Sequence, residues 1–306
     1  MKKLVKNCKL AVVQAAPVMF DKDATIEKTV RLIDEAGQNG AEIIVFPESY
    51  IPCYPCGLTF GFSVGKRTED GRKDWKVYYD NSVVVPSSDT ERIGQAAAKA
   101  GAYVSIGITE RDKTNCTLYC TNLIFSPDGE LVAKHRKLKP TGAERFIWGD
   151  GNEGFFPMVD TPWGPMGSLI CWENYMPLAR AALYQKGVSI YLAPNTNDNP
   201  EWQDTIRHIA IEGHCYVINA DQYFTKDLYP QDFHCPDEIE KLPQGVCIGG
   251  SCVIDPYGHY MNEPVWNKEE TIYVDLDMDK VPMSHMEFDG AGHYTRPDVL
   301  ELVIHE

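Results

Sequence analysis

The chain has 306 residues, of which 44 are acidic and 29 are basic, so its formal net charge is −15. A surface of that sign repels phosphate groups, which argues against a nucleic-acid partner. Hydrophobic residues make up 43% of the chain, an ordinary globular composition. No apolar run reaches the roughly 18–20 residues that a membrane span needs. We therefore expect a single domain over residues 1–306 that has no membrane partner.

The amino-terminal residues 1–20 combine lysines with apolar residues, as a secretory signal does. However, Lys6 and Lys9 interrupt this segment, and Gln14 cuts its apolar run short. The pattern therefore indicates a first buried strand over residues 8–16. A chain without a signal stays in a reducing compartment, so we expect the ten cysteines to be thiols. We predict a cytoplasmic protein.

The motif CYPC at residues 53–56 has the spacing of a redox dithiol. A redox site needs its first cysteine at a helix N-terminus, whereas Pro52 and Pro55 indicate a loop. Cys116 and Cys120 flank a strand-like stretch. We interpret these cysteines as structural, with a redox or zinc role for CYPC as the minor alternative.

Taken in chain order, buried strand patterns alternate with helical patterns. Single strands are predicted over residues 8–16, 41–46, 103–109, 164–172, 188–194, 215–223 and 271–278. Hairpin signals cover residues 117–137, around the turn SPDGE, and residues 249–261. The alternation indicates an α/β protein whose helices pack outside its sheets.

Four helices are predicted from apolar periodicity and from residues that start or stop a helix. Their ranges are 24–36, ended by Gly37; 88–99, ended by Gly101; 176–186; and 199–213, opened by Pro200. Residues 226–245 are polar and contain prolines, so we expect them to form a long surface loop.

Three residues that could carry chemistry follow predicted strands. Glu48 comes after the strand IIVFP, Lys137 follows the second hairpin strand, and Cys171 ends GSLIC. A cysteine nucleophile needs a base, and donors that hold the charge developing on the substrate. Taken singly, each has an ordinary explanation, since a lone cysteine is most often a buried core residue. Their combination is what suggests a site.

The segments around these residues resemble the signature segments of the nitrilase family of carbon–nitrogen hydrolases. The similar stretches are FPESYIPCYPCGLTFG, HRKLKPTGAERFIWGDG, CWENYMPLARAALYQKG, RHIAIEGHCYVINADQY and GHYTRPDVLELVI. The resemblance implies a four-layer α-β-β-α sandwich and a catalytic triad of Glu48, Lys137 and Cys171. Glu144 matches the additional glutamate that the family places seven residues after the lysine.

The resemblance implies hydrolysis of a nitrile to its carboxylic acid and ammonia, without a metal or cofactor. Cys171 is expected to attack the nitrile carbon and to form first a thioimidate and then a thioester. Glu48 acts as the base, and Lys137 and the backbone N–H of Trp172 hold the developing negative charge. Glu144 positions Lys137 or a water, or relays protons, and these alternatives stay open.

Three further residues are expected to contact the substrate, namely Tyr54, Trp172 and Glu173. The sequence Cys-Trp-Glu is similar to the nitrile-hydrolysing branch of the family, although Trp172 has the alternative of a core anchor. Cys53 takes a position where the family commonly has glycine, and we expect it to add bulk near the entrance. The helix over residues 199–213 is expected to brace the site.

The alternatives to an organic-nitrile hydrolase are an amidase or carbamoyl hydrolase with the same triad, a cyanide-hydrolysing enzyme, and a non-catalytic interaction protein. Whether the preferred nitrile is aliphatic, aromatic or arylacetic stays open. The resemblance also implies self-association as a homodimer or a larger spiral. We expect the segment of about residues 278–306 to contribute to those contacts.

Overall fold

A computed structural model describes residues 5–197 and 199–305, so the signal-like Lys2 and Lys3 lie outside the described residues. The strands are β1 (Asn7–Gln14), β2 (Ile43–Val45), β3 (Tyr103–Arg111), β4 (Leu118–Phe125), β5 (Leu131–Arg136), β6 (Met158–Thr161), β7 (Gly164–Ser168), β8 (Ile190–Pro194), β9 (Tyr216–Ala220), β10 (Tyr223–Thr225), β11 (Gly245–Ile254), β12 (Val265–Trp266) and β13 (Glu270–Asp277). The α-helices are α1 (Lys22–Gln38), α2 (Glu69–Asp80), α3 (Ser88–Ala100), α4 (Pro177–Gln185), α5 (Pro200–Gly213), α6 (Pro236–Glu240) and α7 (Lys280–His285). Short 3₁₀ helices cover Gly142–Phe146, Cys171–Tyr175 and Lys226–Leu228.

The strands form two mixed sheets, and the central strands of the two sheets have a similar arrangement. The first has the order β13-β1-β2-β3-β4-β5, and the second has the order β10-β11-β9-β8-β7-β6, with β12 paired to β11. In each sheet three neighbouring strands are parallel, β1-β2-β3 in the first and β7-β8-β9 in the second. Parallel strands place their carboxyl ends at one edge of the sheet, where ligands commonly bind.

The side chains of β1 show how the layers arise. Leu10 and Val12 point into the core between the two sheets, together with residues of β8 and β9. Ala11 and Val13 point the other way and pack with the helices α1 and α3. The outer face of the second sheet is covered by α4 and α5 in the same manner. The predicted four-layer α-β-β-α sandwich is confirmed.

The helix α1 begins and ends slightly outside its predicted range. The Asp21 side chain caps its start by accepting a hydrogen bond from the Ala24 N–H at 2.9 Å. Gly37 does not end the helix, which is a correction to the prediction. A Cβ on Gly37 would lie 2.7 Å from the Ala100 Cβ, so this glycine permits close packing of α1 on α3. Gly101, with φ 65°, does end α3 as predicted.

Two segments differ from the sequence-based expectations. The helix α2 was not predicted, because it buries only Gly71, Asp74 and Tyr78 and has almost no apolar face. Residues 226–245 lie largely at the surface, as expected, but they contain the helix α6 and are not simply a loop. Tyr229 and Phe233 are buried and pack with the aromatic rings around the site, because a predominantly polar segment needs only a few apolar anchors to dock.

Two strand predictions also need correction. The strand predicted over 164–172 ends at Ser168, because the 3₁₀ helix takes over at Cys171. The hairpin predicted over 249–261 is present, with Ile254 bridged to Tyr260 across its turn, but its first arm belongs to the strand β11, which lies between β10 and β9 rather than at an edge. Over residues 5–197 and 199–305, no helix is both long enough and apolar enough to cross a bilayer.

Candidate active site

Three of the predicted site residues converge in a buried ion cluster. The Lys137 Nζ atom lies 2.6 Å from Oε1 of Glu48 and 2.8 Å from Oε2 of Glu144. All three side chains are buried. Glu48 and Glu144 lie 89 and 7 positions from Lys137 in the chain. The three side chains nevertheless share one site, which charge-assisted hydrogen bonds hold together.

The turn after β2 carries Glu48 into the site. Ser49 has φ 47°, so the chain reverses sharply, and the Tyr50 N–H donates to the Gly107 carbonyl of β3 at 2.8 Å. A Cβ on Gly107 would lie 2.3 Å from the Pro47 carbonyl oxygen and 2.4 Å from the Ser49 nitrogen. A side chain at position 107 would therefore displace the turn that holds Glu48.

Cys171 starts a 3₁₀ helix with φ 50°, a left-handed conformation that is strained for a residue with a side chain. The Asn174 amide stabilises this turn by donating to the carbonyl oxygens of Leu169 at 3.0 Å and Cys171 at 2.7 Å. The Tyr191 hydroxyl in turn donates to the Asn174 Oδ1 at 2.6 Å. Cys171 as a whole is only 5% exposed, so the fold fixes a nearly enclosed residue after the end of the strand.

The environment of Cys171 keeps it protonated at rest. Burial raises the pKa of the Cys171 thiol well above its usual range, and the Glu48 carboxylate raises it further. The Lys137 ammonium and the Thr196 backbone N–H, which donates to the sulfur, act in the opposite direction. A resting thiol needs a base at the moment of attack, because the thiolate is the nucleophile.

Glu48 is suited to be that base. Burial raises the pKa of its carboxyl, and the Lys137 ammonium limits this rise. A carboxyl held above its ordinary value exchanges protons more readily near neutral pH. Burial alone would lower the pKa of Lys137, but the negative charges of Glu48 and Glu144 outweigh it and raise that pKa well above the usual range. Lys137 therefore remains a cation that can donate hydrogen bonds.

Glu144 is held by three donors. Its Oε2 accepts hydrogen bonds from Lys137 and from the Thr141 backbone N–H at 2.6 Å, and its Oε1 accepts from the Tyr54 hydroxyl at 2.7 Å. Burial, with Glu144 nearby, raises the pKa of Tyr54 well above its usual range, so this hydroxyl stays a donor. Among the open roles for Glu144, the contacts support positioning of Lys137.

Glu173 lies behind the site, which corrects the expectation that it contacts the substrate. Its Oε2 accepts from the Ile170 N–H and its Oε1 accepts from the Leu138 N–H, both at 2.6 Å. The Nε2 of His135 lies 3.1 and 3.0 Å from the two oxygens. The Glu173 carboxylate is buried, and hydrogen bonds occupy both of its oxygens. It therefore connects Ile170, which precedes Cys171, to Leu138, which follows Lys137.

The tautomer of His135 follows from its partners. Its Nδ1 lies 3.0 Å from the Gly154 carbonyl oxygen, which can only accept, so Nδ1 carries a proton. Its Nε2 lies within hydrogen-bond distance of both Glu173 oxygens. Burial alone would lower the pKa of His135, but the Glu173 carboxylate and the Gly154 carbonyl outweigh it and raise that pKa above its ordinary value. His135 and Glu173 therefore form a buried pair that is charged when the imidazole is protonated.

Trp172 and Cys53 also lie differently from the expectations. The Trp172 side chain is 46% exposed and packs edge-to-face on Tyr175 at 5.4 Å between ring centroids, so the core-anchor alternative is wrong. The backbone N–H of Trp172 lies in the first turn of a helix, where amides have no intrahelical partner.

Cys53 is fully buried and its carbonyl accepts from the Tyr78 hydroxyl at 3.0 Å, so it does not narrow the entrance. Residues 53–56 form an irregular loop, which favours the structural interpretation.

Tyr54 lines a cavity of about 310 Å³ next to the cluster, together with Glu144, Ile147 and Trp148. Its hydroxyl is committed to Glu144, and a contact of Tyr54 with the substrate stays a prediction. In the described part of the chain, no group of three His, Cys, Asp or Glu side chains is arranged to hold a metal ion.

Two site residues were missed by the sequence analysis. Thr196 donates from Oγ1 to Oε2 of Glu48 at 3.1 Å, and Cys120 donates from Sγ to Oε1 of Glu48 at 3.4 Å. Thr196 follows β8, so the rule that singled out Glu48 and Cys171 at strand ends would also have found it. Cys120 is inside β4, where only the pairing of β4 with β5 places it in the site. The helix α5 supports this edge through Trp202, whose Nε1 donates to Asn219 at 2.9 Å.

Comparisons with known proteins agree with this geometry. Residues 9–282 match the family model described as carbon-nitrogen hydrolase. The chain is 48% identical over 297 residues to the aliphatic nitrilase of Sinorhizobium fredii (strain HH103), covering 97% of this chain and 95% of that protein. It is 42% identical over 302 residues to Nitrilase 2 of Arabidopsis thaliana, covering 96% of this chain and 88% of that protein.

The fold also matches a solved structure of low sequence identity. The crystal structure of Saccharomyces cerevisiae Nit3, a member of branch 10 of the nitrilase superfamily, superposes with a TM-score of 0.73 at 22% identity, covering 98% of this chain and 99% of that one. The family model spans most of the sequence, and relatives above 40% identity align over nearly all of it. The chain therefore belongs to the carbon–nitrogen hydrolase family, whose relatives named here are nitrilases.

Proposed function

We propose that this protein is a nitrilase that converts an organic nitrile into its carboxylic acid and ammonia through a covalent adduct on Cys171. The observation that carries the proposal is the enclosed Cys171 thiol beside the Glu48 carboxylate and the Lys137 ammonium. The similarity to an aliphatic nitrilase at 48% identity supports a nitrile, rather than an amide, as the substrate.

The first half of the reaction forms the adduct. Glu48 takes the proton of the Cys171 thiol as the sulfur attacks the nitrile carbon, so the C–S bond forms while one C–N π bond breaks. The electron pair moves to nitrogen, and Lys137 and the Trp172 N–H stabilise it. Proton transfer to this nitrogen gives a thioimidate.

The second half uses two water molecules. Glu48 activates the first water, which adds to the thioimidate carbon, and the C–N bond breaks to release ammonia and leave a thioester. A second water attacks the thioester carbon, the C–S bond breaks, and the carboxylic acid leaves with regeneration of the thiol. General acid–base help of this kind typically contributes about 10²–10⁴-fold. Glu144 and Tyr54 keep Lys137 in place throughout.

The test is an assay of released ammonia with nitriles and their matching amides. We expect ammonia from at least one nitrile and a thioimidate or acyl adduct on Cys171 by mass spectrometry. Cys171→Ala should abolish both signals. The matched control is Cys215→Ala, which removes a buried thiol far from the cluster and should leave activity intact. Turnover of amides with no turnover of any nitrile would make the protein an amidase and reject the proposal.

We also propose that the enzyme self-associates through residues 278–306 and works in the cytoplasm. Support for self-association comes from the large apolar side chains exposed in this segment, including Met286, Leu300 and Val303. Support for the location comes from the chemistry, since a catalytic thiol must stay reduced. Cell fractionation with an antibody against the protein tests the location, and a secreted or periplasmic signal would reject it.

A further inference from the structure

A second thiol, that of Cys120, lies in the ion cluster and has no part in the chemistry above. Cys120 belongs to β4, which pairs antiparallel with β5 in the register Thr121 to Arg136. The Lys137 N–H continues this ladder by donating to the Cys120 carbonyl at 2.8 Å. Side chains of opposite residues lie on the same face of a sheet, so Cys120 and Lys137 reach Glu48 side by side.

The two oxygens of Glu48 differ in how far they are occupied. Oε1 accepts from the Lys137 ammonium at 2.6 Å and from the Cys120 thiol at 3.4 Å. Oε2 accepts from the Thr196 hydroxyl at 3.1 Å. Each carboxylate oxygen has about two acceptor sites, so the contacts from residues 5–197 and 199–305 fill Oε1 and leave one site on Oε2.

We propose that Cys120 is a positioning residue that, with Lys137, occupies Oε1 of Glu48 and thereby makes Oε2 the oxygen that takes up protons. The proposal deepens, and rests on, the function proposed above, because it assigns the basic atom of the general base. In this arrangement Oε2 receives the proton of the Cys171 thiol and later that of each water. The S–H bond of Cys120 stays intact in every step.

The surroundings of Cys120 suit a donor and not a nucleophile. Its side chain is buried, with 1% exposure, and lies within a regular strand rather than on a strained turn. Burial and then the Glu48 carboxylate raise the pKa of the Cys120 thiol well above its usual range. The site therefore holds two thiols with different tasks, since Cys171 has the Thr196 N–H donating to its sulfur and Cys120 donates its own proton.

The test compares Cys120→Ala, which removes the donor, with Cys120→Ser, which keeps one. The donor stabilises ionised Glu48, so its loss should move the acid limb of the kcat/KM profile to higher pH in Cys120→Ala. We expect kcat to fall about 2–12-fold there, the range of one ordinary hydrogen bond, because a thiol is a weak donor, with KM within about twofold. Cys120→Ser should retain the wild-type limb. The other titratable groups that face Glu48 are the same in all variants: Lys137, Glu144, Cys171 and Tyr54.

A second readout needs no substrate. Alkylation of Cys171 by iodoacetamide, followed by mass spectrometry across pH, should show the same shift in Cys120→Ala. If this shift occurs while no nitrile is hydrolysed, the positioning role stands and only the proposed substrate fails. Cys215→Ala serves as the control for loss of a buried thiol, and urea unfolding of each variant checks that it is folded. The proposal is overturned if Cys120→Ala keeps the wild-type pH profile, or if the alanine and serine variants behave alike.

Discussion

The two carboxylates around Lys137 have different partners, and this difference gives them different tasks. Glu144 accepts from three donors, those of Lys137, Thr141 and Tyr54, and is held in a fixed position. Among the contacts in the described part of the chain, Glu48 retains an open acceptor site on Oε2. A fixed carboxylate orients the ammonium, whereas a carboxylate with an open site can exchange protons. Lys137 is thus shared by Glu144, which positions it, and by Glu48, which acts as the base in the proposed reaction.

Glu173 allows a sharp test of how the site is held together. In Glu173→Gln, one oxygen becomes an NH₂ group, which cannot accept from the backbone N–H of Ile170 or Leu138 that now faces it. His135 also loses its counter-charge. Breaking a buried pair costs about 3–5 kcal/mol, and a small displacement of reacting groups costs about 10²-fold in rate. We therefore expect the free energy of unfolding to fall by about 3–5 kcal/mol, measured by urea unfolding. We also expect kcat for the nitrile to fall about 10²-fold.

The control for this variant is Glu69→Gln, because Glu69 is exposed and pairs with the exposed Arg72 at the surface. Exposed pairs contribute about 0–1 kcal/mol, so stability and kcat should stay close to those of the wild type. If Glu173→Gln were no worse than Glu69→Gln, the connection between the Cys171 and Lys137 segments would be unimportant.

The sequence placed Glu48, Lys137 and Cys171 at strand ends but did not find the residues that hold them. The resemblance to the nitrilase family, and not the strand pattern alone, predicts these three as the reacting groups. Glu173 was misplaced because its carboxylate turns back to the Ile170 N–H, and an isoleucine gives none of the usual signature of a capped helix start. Cys120 was missed because its contact with Glu48 depends on the pairing of two strands.

At the scale of elements, the site depends on a close approach between the Glu48 turn and β3. Gly107→Ala would place a methyl group 2.3 Å from the Pro47 carbonyl oxygen, so the turn must move. Overpacking of this kind costs about 1–3 kcal/mol or more, and movement of Glu48 should lower kcat at least about tenfold. Thermal unfolding and nitrile turnover measure the two effects.

Gly187→Ala separates steric displacement from general backbone strain. Gly187 has φ 75°, and within the described part of the chain a Cβ at this position would meet no other atom within 4 Å. Alanine there therefore costs about 1–2 kcal/mol of strain without touching the site. We expect reduced stability and an unchanged kcat. An equal fall of kcat in both variants would mean that the turn geometry does not control Glu48.

The elements with strong periodicity were predicted, and those without it were not. The strands β1, β3 and β8 bury nearly every residue, so their apolar runs are plain in the sequence. The helix α2 and the segment 226–245 pack through a few anchors, such as Asp74, whose carboxylate accepts from the backbone N–H groups of His234 and Cys235 at 2.9 and 2.8 Å. Contacts of this kind depend on tertiary partners and leave no periodic pattern.

For the whole molecule, the His135–Glu173 pair predicts how stability depends on pH. Burial alone would lower the pKa of His135, but the Glu173 carboxylate and the Gly154 carbonyl raise it above its ordinary value near 6.5. The folded state therefore holds this proton more tightly than the unfolded state. The stabilisation is complete below about pH 6.5 and is lost as the pH rises through the folded-state pKa of His135.

His135→Gln provides the comparison, because other groups titrate alike in both proteins. The difference in unfolding free energy between wild type and variant should be largest below about pH 6.5 and should shrink at higher pH, by up to about 1.4 kcal/mol per unit. Urea unfolding of both proteins from about pH 5.5 to about pH 9 brackets the titration of a histidine. It measures how the difference in unfolding free energy changes with pH. A difference that does not change with pH would mean that His135 is neutral in the folded protein.

Exposed apolar side chains near the C-terminus predict how copies of the protein assemble. The segment after α7 anchors itself through Leu302 and Ile304, which pack on the core beneath α5. Val299 and Leu300 are 64% and 77% exposed, and exposed apolar clusters commonly mark contact surfaces. A double change of Val299 and Leu300 to aspartate should leave the monomer fold intact, because these side chains face solvent, but should oppose burial in an interface.

Size-exclusion chromatography with light scattering measures the result, and we expect a smaller assembly for the double variant. Val18→Asp is the control, since it adds a charge at an exposed valine outside the segment. Circular dichroism should be the same for all three proteins. If the double variant kept the wild-type mass, the contacts between copies would lie elsewhere, and the exposed side chains of this segment would have no role in assembly.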